Sequence, residues 1–378
     1  MAREVPLLEL SGEPYEMGRK HGSLVRELIK HNLKVYFRRF EGWTDLPRQE
    51  VLRRARRYRE VIEDHHPVYA EAMRGVADGA KCSLTDITAL NVRYELMYSE
   101  FSRMELQLSG ETVAHPYGCT AFAVMPEASE NGHLLMGQNW DWIPQVAGLF
   151  LRFQGLGGLR VLCFTEAGIV GGKIGLNSSG LGLAVNGLLS DGDDWSSLGK
   201  PFHVRCWEIL NSGTLEEATS RATEGQISCS ANFLLAQATR PSQGSSVDLE
   251  TSPKGVYSLR PQDGLITHTN HFLDPDAIGI YDPLMERQNS LDRRGRIEEL
   301  LRRAIREGSK PGVADLQTML RDHEGYPDSI CRHSNATLPE DERHQTVTSV
   351  IMDLHAKKLW TTRSMPCQSS YRSLSVGN

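Results

Sequence analysis

The pattern of apolar and polar positions divides the chain into a helical first part and a strand-rich remainder. Between residues 14 and 96, apolar side chains recur at spacings of three, four and seven among many Arg and Glu residues, which is the period of amphipathic helices. Pro47 suits a first helical turn and Ser83 suits an N-cap. The pattern therefore predicts helices over 14–40, 47–79 with a break at Pro67, and 83–97.

After about residue 110 the pattern changes to short runs of β-branched and aromatic residues that are bounded by glycine. These runs predict strands over 120–125, 134–138, 159–166, 173–176, 182–188, 233–238, 246–250, 255–259 and 265–270. Helical spacing returns over 204–223, 283–307 and 313–323, and two closing strands flank a turn near Ala356. Helices, then mostly antiparallel strands, then further helices indicate an α+β layered fold rather than a doubly wound parallel sheet.

Composition and charge narrow the classes of function. The 378 residues are 39% apolar and 24% charged, with a formal net charge of −6, so the chain is too apolar and too balanced in charge to be disordered. It has no basic block for nucleic acid, and no apolar run approaches the roughly 18–20 residues that span a bilayer. The first residues lack the apolar stretch of a signal peptide. We therefore expect a cytoplasmic protein with neither a nucleic acid nor a membrane as its partner.

The seven cysteines are scattered along the chain and show no Cys-x-x-Cys spacing. Their distribution argues against a disulfide framework and against a cysteine zinc site. His268 and His271 lie three apart on a predicted strand, which turns their side chains to opposite faces, so we expect them to pack rather than to form a metal pair. The sequence thus predicts neither a metal nor an organic cofactor.

The dipeptide Gly118-Cys119 stands at the junction of the helical and the strand-rich parts. A cysteine at the first position of an alternating strand is a place where an internal bond can be cut to leave a new N-terminus. Such a cysteine would carry its own base, because a free α-amino group has a pKa of about 7.7–8.0. The alternative is a buried strand cysteine after a loop glycine, and these two residues alone favour that alternative.

The run Gly-Gln-Asn-Trp-Asp-Trp at 137–142 supplies the second candidate. It ends the strand that is expected to pair with the preceding predicted strand through a turn at Asn131-Gly132. Counting along both arms of this hairpin puts Asp141 near the start of the first strand and within reach of Cys119. An acidic residue between two tryptophans needs a hydrogen-bonding partner, and the alternative for Asp141 is an ordinary cap or turn aspartate.

Five motifs, in order along the chain, resemble those of one family. They are Gly-Cys-Thr at 118–120, Gly-Gln-Asn-Trp-Asp at 137–141, Thr-Glu-Ala-Gly at 165–168, Gly-Leu-Asn-Ser-Ser-Gly at 175–180 and Asn-His-Phe at 270–272. With these motifs, the chain resembles the isopenicillin-N acyltransferase family of self-processing N-terminal-nucleophile hydrolases. The run Gly-Glu-Pro-Tyr-Glu-Met-Gly at 12–18 also fits that family, so the resemblance spans nearly the whole chain.

The resemblance implies a four-layer αββα sandwich with antiparallel sheets. It also implies a precursor that cleaves its own bond between Gly118 and Cys119. The products would be a helical chain of residues 1–118 and a strand-rich catalytic chain of residues 119–378, which stay associated as a single globular unit. The cleaved N-terminal chain is therefore the expected protein partner.

The resemblance assigns roles to individual residues as well. Cys119 would be the nucleophile, Asp141 would hold the new amino group, and the side-chain amide of Asn270 would donate to the tetrahedral oxyanion. Arg332 matches less closely an arginine near the nucleophile, and a surface salt bridge is its alternative. The related bile-salt hydrolases carry an arginine three residues before the aspartate, where this chain has Gln138, so a bile-salt substrate is disfavoured.

The function that follows is amide hydrolysis or acyl transfer. We expect a cysteine amidohydrolase or acyltransferase that acts on non-peptide N-acyl amides through a thioester on Cys119 and needs no cofactor. An acyl-coenzyme A-dependent transferase of the penicillin type, with an acyl thioester as substrate, is the alternative within the resemblance. An unprocessed, catalytically silent binding protein on the same scaffold is the alternative outside it.

Overall fold

A computed structural model describes residues 5–107, 118–284 and 287–377, so residues 285 and 286 of the predicted helix 283–307 and the first four residues lie outside it. The helices of the first part agree with the periodicity, including the break at Pro67. Two of the predicted helices are each divided by a valine, Val25 or Val92, whose φ angles of −123° and −116° interrupt the helical backbone. The helices are α1 (Pro14–Leu24), α2 (Arg26–Thr44), α3 (Arg48–His65), α4 (Pro67–Ala80), α5 (Leu84–Asn91) and α6 (Arg93–Gln107).

Helices α1 and α4 lie unusually close together because glycines line their contact. Gly18 and Gly22 on α1 face Gly75 and Gly79 on α4, and a Cβ at any of the four would overlap the backbone of the other helix. The spacing of four in each pair puts both glycines on the same helix face. These glycines allow the backbones of α1 and α4 to pack closely, and this close packing holds the helical layer of the fold together.

The larger of two sheets contains β1 (Leu7–Leu10), β4 (Gly148–Gln154), β5 (Arg160–Glu166), β6 (Ile174–Asn177), β7 (Leu181–Gly187), β8 (Ala231–Arg240), β9 (Gln243–Ser252) and β10 (Gly255–Leu259). These strands follow one another across the sheet in that order. Neighbours pair antiparallel, except that β1 and β4 pair in parallel. The sequence pattern did not predict β1 or β4, and the turn predicted at 177–180 does connect β6 to β7.

The smaller sheet contains β2 (Gly118–Val124), β3 (Leu135–Trp142), β11 (Leu265–His268), β12 (Gln345–Asp353), β13 (Lys358–Thr361) and β14 (Arg372–Ser375). Its order is β11-β2-β3-β12-β13-β14, and every neighbouring pair is antiparallel. The predicted closing hairpin near Ala356 is β12 and β13, and β14 adds one more edge strand beside it. Both strands of the β2–β3 hairpin lie in the interior of this sheet, between β11 and β12.

The two sheets pack face to face, with β2 and β3 against β7, and helices cover both outer faces. Helices α7 (Phe202–Leu210) and α8 (Leu215–Thr223) lie on the larger sheet, and α9 (Gln288–Arg306) and α10 (Val313–Met319) lie on the smaller one. This arrangement confirms the expected αββα layers. The single helix predicted over 204–223 is two helices, because Thr214 begins α8 as an N-cap whose hydroxyl accepts the Glu217 N–H.

One large apolar core joins both parts of the chain. It contains side chains of the helical layer such as Tyr36 and Met97 and side chains between the sheets such as Trp140 and Phe233. A second, smaller core fills the space between the smaller sheet and α9 and α10. Within the described ranges, no helix combines the length and the apolar character that crossing a membrane requires.

Candidate active site

The hairpin of β2 and β3 brings the first two candidate residues together. In its register, Gly118 lies opposite Asp141, and Cys119 lies opposite Trp140. This pairing confirms the position that counting along the hairpin predicted for Asp141. The Asn131-Gly132 turn belongs to a longer connection, which also contains a short helical turn at Pro126–Ala128.

Hydrogen bonds from three different elements hold the backbone of Cys119. Its N–H donates to Oδ1 of Asn270 at 2.7 Å. Its carbonyl oxygen accepts from Nη1 of Arg293 at 2.6 Å and from Nδ2 of Asn186 at 3.2 Å. The peptide groups on both sides of Cys119 are therefore held in place by hydrogen bonds.

The thiol of Cys119 is buried and faces the space between the sheets. Burial, with the nearby charge of Asp141, raises the pKa of this thiol to about 12, against the lowering effect of Arg293 and Lys173. In the uncleaved chain the sulfur is therefore protonated at neutral pH, so it needs a base or a cation to become nucleophilic.

Asp141 is fully buried on the opposite face of the hairpin from the Cys119 thiol. Its Oδ1 accepts the hydroxyl of Thr346 at 2.7 Å, whereas its Oδ2 has no hydrogen-bond partner in the described part of the chain. Burial raises the pKa of this carboxyl to about 6, while Arg332 and Arg293 oppose that rise. Asp141 is therefore able to hold or release a proton near neutral pH.

Arg332 is also buried and reaches the same place. Its Nε donates to Oδ1 of Asp328 at 2.9 Å, and its Nη1 finds no hydrogen-bond partner among the residues described. A Cβ added at Gly118 would overlap this Nη1 and would lie 2.8 Å from Oδ2 of Asp141. The two unpaired atoms thus converge on Gly118, while the other side of the buried guanidinium forms a salt bridge with the half-exposed Asp328.

Asn270 contacts the site through its oxygen rather than through its nitrogen. Oδ1 accepts from the Cys119 N–H and also from Nη2 of Arg293 at 3.1 Å, while Nδ2 donates to the carbonyl oxygen of Gly187 at 3.0 Å. We assign the amide of Asn270 in this orientation because two N–H donors face Oδ1, so that atom has to be the acceptor oxygen. The predicted donation from Asn270 to an oxyanion stays a prediction, because Nδ2 of Asn270 here donates its hydrogen bond to the carbonyl oxygen of Gly187.

Arg293 is the site residue that the sequence analysis missed. The sequence analysis named no candidate on the predicted helix 283–307, yet Arg293 on this helix is 2% exposed and contacts both Cys119 and Asn270. The buried positions of α9 are Ser290, Arg293, Ile297 and Leu301, which are spaced by three and four. An arginine in register with the apolar positions of a helix was the signal available in the sequence.

A buried cluster of charges lies beside the thiol. The carboxylate of Glu166 contacts the side chains of Arg93 and Lys173, and these cations hold its pKa well below its ordinary value although burial acts to raise it. Nζ of Lys173 lies 3.5 Å from the centroid of the Trp140 ring, and burial lowers the pKa of Lys173 to about 7. Lys173 thus places a titratable cation on the thiol's side of the hairpin.

The cavity that Cys119 lines is small. It has a volume of about 20 Å³ and is enclosed by residues that include Trp140, Lys173 and Asn186, which leaves room for about one water molecule. A larger hollow of about 500 Å³ between α1, α4 and the β4–β5 connection contains none of the four predicted catalytic residues in its lining. The space beside the Cys119 thiol is therefore small.

His268 and His271 have different hydrogen-bond partners, but β11 ends at His268, so the alternation of side chains along a strand is not what separates them. Nε2 of His268 lies 2.9 Å from Oε1 of Glu250, and Nδ1 of His271 lies 2.8 Å from Oγ of Ser290. Both imidazoles pack into the walls around Asn270 and do not converge on one point.

Comparison with known proteins adds the family. The sequence model of the family described as acyl-coenzyme A:6-aminopenicillanic acid acyl-transferase matches residues 128–366, which is more than half of the chain. The chain belongs to this family. A curated relative from Emericella nidulans, named acyl-coenzyme A:6-aminopenicillanic-acid-acyltransferase 40 kDa form, is 28% identical over 92% of this chain and 89% of its own length.

Solved structures of more distant proteins match this member of the acyl-transferase family as well. A conjugated bile acid hydrolase variant from Clostridium perfringens is 13% identical, covers 68% of this chain and 92% of its own, and has a TM-score of 0.47. An N-acylethanolamine-hydrolyzing acid amidase ortholog from Caenorhabditis elegans is 13% identical, covers 62% and 93%, and has a TM-score of 0.44. We assign the αββα architecture from the layers and the strand order of this chain itself.

In this acyl-transferase family member, Gln138 joins the two sheets. Its Oε1 accepts the N–H of Val185 at 3.0 Å, and its Nε2 donates to the carbonyl oxygen of the same residue. An arginine has no acceptor and so cannot make this two-way pair. Gln138 therefore fastens β3 to β7, and the bile-salt substrate remains disfavoured as a prediction.

Proposed function

We propose that this chain is a self-processing cysteine enzyme of the N-terminal-nucleophile type, which hydrolyses or transfers acyl groups of non-peptide N-acyl amides. One observation carries the proposal: two buried polar atoms, Oδ2 of Asp141 and Nη1 of Arg332, meet at Gly118 without a hydrogen-bond partner in the described ranges. Unpaired buried polar groups cost about 1–3 kcal/mol each. A reaction at the bond after Gly118 would supply both atoms with a partner.

The proposed first reaction is cleavage of the chain by its own thiol. The sulfur of Cys119 gives up its proton and attacks the carbonyl carbon of Gly118, the bond to the Cys119 nitrogen breaks, and that nitrogen takes up the proton that the thiol released. Asp141 supports this step because a carboxyl with a pKa of about 6 can take up and release a proton near neutral pH. Water then hydrolyses the resulting thioester, which leaves a carboxylate on Gly118 and a free amine on Cys119.

Cleavage would then create the mature nucleophile. The new α-amino group, with an ordinary pKa of about 7.7–8.0, can accept the thiol proton, which an amide nitrogen cannot do. The cavity beside Cys119 holds about one water molecule and is too small for an N-acyl amide. Space for substrate therefore has to open beside Cys119 after cleavage, so processing and substrate access are one event in this proposal.

The experiment that tests the proposal is intact-mass spectrometry under denaturing conditions. We expect freshly purified wild type to give two fragments, one ending at Gly118 and one beginning at Cys119, and Cys119→Ala to give one full-length species. Cys82→Ala is the matched control, because Cys82 is a partly buried cysteine whose thiol donates to the nearby Ala80 carbonyl. A wild type that stays full-length after prolonged incubation would contradict self-processing and would favour an unprocessed binding protein.

Acyl transfer is the second candidate, because the family description and the Emericella nidulans relative both name an acyl-coenzyme A substrate. A thioester on Cys119 can be resolved by water or by an amine, so the acceptor decides between hydrolysis and transfer. We would incubate processed protein with N-acyl amides and acyl thioesters, with and without an acceptor amine. A new amide product supports transfer, and release of free acid alone supports hydrolysis.

A further inference from the structure

Four side chains with metal-ligating atoms meet at a point outside the candidate active site. They are His323, Cys331, His333 and Cys367, and their ligating atoms all lie within 4.8 Å of one another. His323 follows α10, Cys331 and His333 belong to the loop before β12, and Cys367 lies between β13 and β14. Three separate stretches of chain therefore supply two nitrogens and two sulfurs to one place.

The distances among these atoms match the edges of a tetrahedral zinc site. Bond lengths of about 2.0–2.1 Å to nitrogen and 2.3 Å to sulfur give edges of about 3.3–3.4 Å between nitrogens and about 3.6 Å between nitrogen and sulfur. Nε2 of His333 lies 3.1 Å from Nε2 of His323, 3.3 Å from Sγ of Cys367 and 3.9 Å from Sγ of Cys331. These three separations lie within 0.3 Å of the tetrahedral edges, and the remaining pairs of ligating atoms lie within 4.8 Å of one another, so a central ion would draw those pairs closer together.

Hydrogen bonds outside the four ligands hold the three stretches in place. The N–H of Cys331 donates to the Asp322 carbonyl at 3.0 Å, which fixes it beside His323. The N–H of His333 donates to the Pro327 carbonyl at 2.9 Å. Nε of Arg321 donates to the Pro366 carbonyl at 2.8 Å and so ties the segment of Cys367 to the end of α10. Such backbone contacts preset ligand positions before an ion binds.

We propose that His323, Cys331, His333 and Cys367 form a structural zinc site. Two thiolates and two imidazoles are the ligand set of closed, four-coordinate zinc sites, and a site with four protein ligands leaves no position for a substrate. This proposal departs from the sequence analysis, which expected no cysteine zinc site because the chain has no Cys-x-x-Cys spacing. A spacing rule does not detect such an arrangement, because the four residues are neighbours in the fold and not in the sequence.

The site would also fix the loop that carries Arg332. Cys331 and His333 flank Arg332, whose N–H donates to Oγ1 of Thr346 at 2.9 Å and whose guanidinium reaches Gly118. Binding the residues on both sides of Arg332 restricts this loop to one conformation. The zinc ion would thus position Arg332 without touching the reacting atoms.

The test is the zinc content of the full-length chain, purified under reducing conditions without chelator and measured by elemental mass spectrometry. We expect about one zinc per chain in wild type, and at least about a tenfold loss in Cys331→Ser and in His323→Ala. The His323→Ala variant is included in case Cys331→Ser misfolds, because His323 is exposed whereas Cys331 is buried. Cys82→Ser and Cys119→Ala are the matched controls, and both are expected to keep the full zinc content whether or not the chain processes itself.

Cobalt substitution and a thiol count complete the test. Cobalt-loaded wild type is expected to show the absorption bands of tetrahedral cobalt bound to thiolate, and Cys367→Ser is expected to lose intensity in those bands. The proposal is overturned by a wild type with less than about one-tenth of an equivalent of bound zinc. It is also overturned if non-reducing peptide mapping finds Cys331 and Cys367 joined in a disulfide, because a disulfide leaves no thiolate to bind the ion.

Discussion

Gly118 occupies a position where a larger side chain has no room. A Cβ there would overlap Nη1 of Arg332 and lie 2.8 Å from Oδ2 of Asp141. We expect Gly118→Ala to slow self-cleavage by at least about tenfold, because overpacking of about 1–3 kcal/mol would shift the Gly118 carbonyl from the thiol of Cys119. The measurement is the time course of fragment formation by intact mass.

Gly42→Ala is the matched control for the Gly118 variant. A Cβ at Gly42 meets no atom within 4 Å, and the residue lies within α2. We expect this variant to cleave at the wild-type rate and to be slightly more stable, since alanine favours helix more than glycine does. Equal cleavage rates for Gly118→Ala and wild type would show that the close approach at Gly118 has no part in the reaction.

The buried carboxyl of Asp141 makes stability depend on pH. Burial raises its pKa from 3.8 to about 6. A carboxyl whose pKa is higher in the folded than in the unfolded state favours folding only while it is protonated. This favourable contribution to stability is fully present below about pH 4 and is lost as the pH rises through 6. Asp141→Asn is neutral at every pH, and we expect its stability advantage to widen by about 2 kcal/mol between pH 4 and pH 7.

The Asp141 variant should be compared with its parent in the Cys119→Ala background, so that neither protein is cleaved during urea unfolding. Asp292→Asn, at an exposed position on α9, is the matched control for removal of a carboxylate. A constant stability difference between the Asp141 variant and its parent across this pH range would mean that the Asp141 carboxyl is not held in its protonated form by burial.

Residues carried by the central hairpin were predictable, and those brought from outside it were not. The position of Asp141 opposite Gly118 follows from the two-residue period of paired strands, which local sequence determines. The approach of Arg332 and Arg293 depends on the packing of a loop and a helix across the sheet. No spacing in the sequence encodes those distances, so only the resemblance to a family pointed to Arg332.

At the scale of elements, α9 acts on the site through one side chain. Arg293 projects from its inner face to the carbonyl oxygen of Cys119 and to Oδ1 of Asn270, and so works as a positioning residue. We expect Arg293→Met to slow self-cleavage and to lower the free energy of unfolding by about 1–3 kcal/mol, because it leaves these buried acceptors with fewer donors. The checks are the cleavage time course and urea unfolding in the Cys119→Ala background.

Two further variants separate positioning by Arg293 from a general effect on α9. Arg303→Met removes an exposed arginine from the same helix, and it is expected to leave cleavage unchanged. Arg293→Lys keeps the charge but loses the forked geometry that reaches both acceptors, so a partial rescue is expected. If Arg293→Met and Arg303→Met cleave equally fast, Arg293 has no positioning role.

The elements that the sequence pattern missed are those whose partners lie far away in the chain. β1 has four residues and pairs in parallel with β4, which starts about 140 residues later. Its apolar run is too short for a periodicity argument, and the strand is stable only because β4 is present. The spacing of apolar residues predicted the helices, but it did not predict that helices end at Val25 and Val92, where tertiary packing overrides helix propensity.

At the scale of the whole molecule, the two expected products of cleavage share one core. Nδ2 of Asn32 on α2 donates to the carbonyl oxygens of Ala147 and Ala167, each at 3.0 Å. The hydroxyl of Tyr58 on α3 donates to the carbonyl oxygen of Trp195 at 2.9 Å. Together with the pairing of β1 and β4, these contacts give the helical part no separate core of its own.

We therefore expect the cleaved chains to remain associated until the protein unfolds. A tag at the end of either product should recover both in equal amounts after native purification, and urea should release one from the other only in the unfolding transition. The reason is that separation would expose the apolar side chains that both products bury in the common core. The uncleaved Cys119→Ala chain is the control for the position of that transition. Release of the helical product at urea concentrations where the strand-rich product remains folded would contradict a shared core and would make the cleaved parts two independent units.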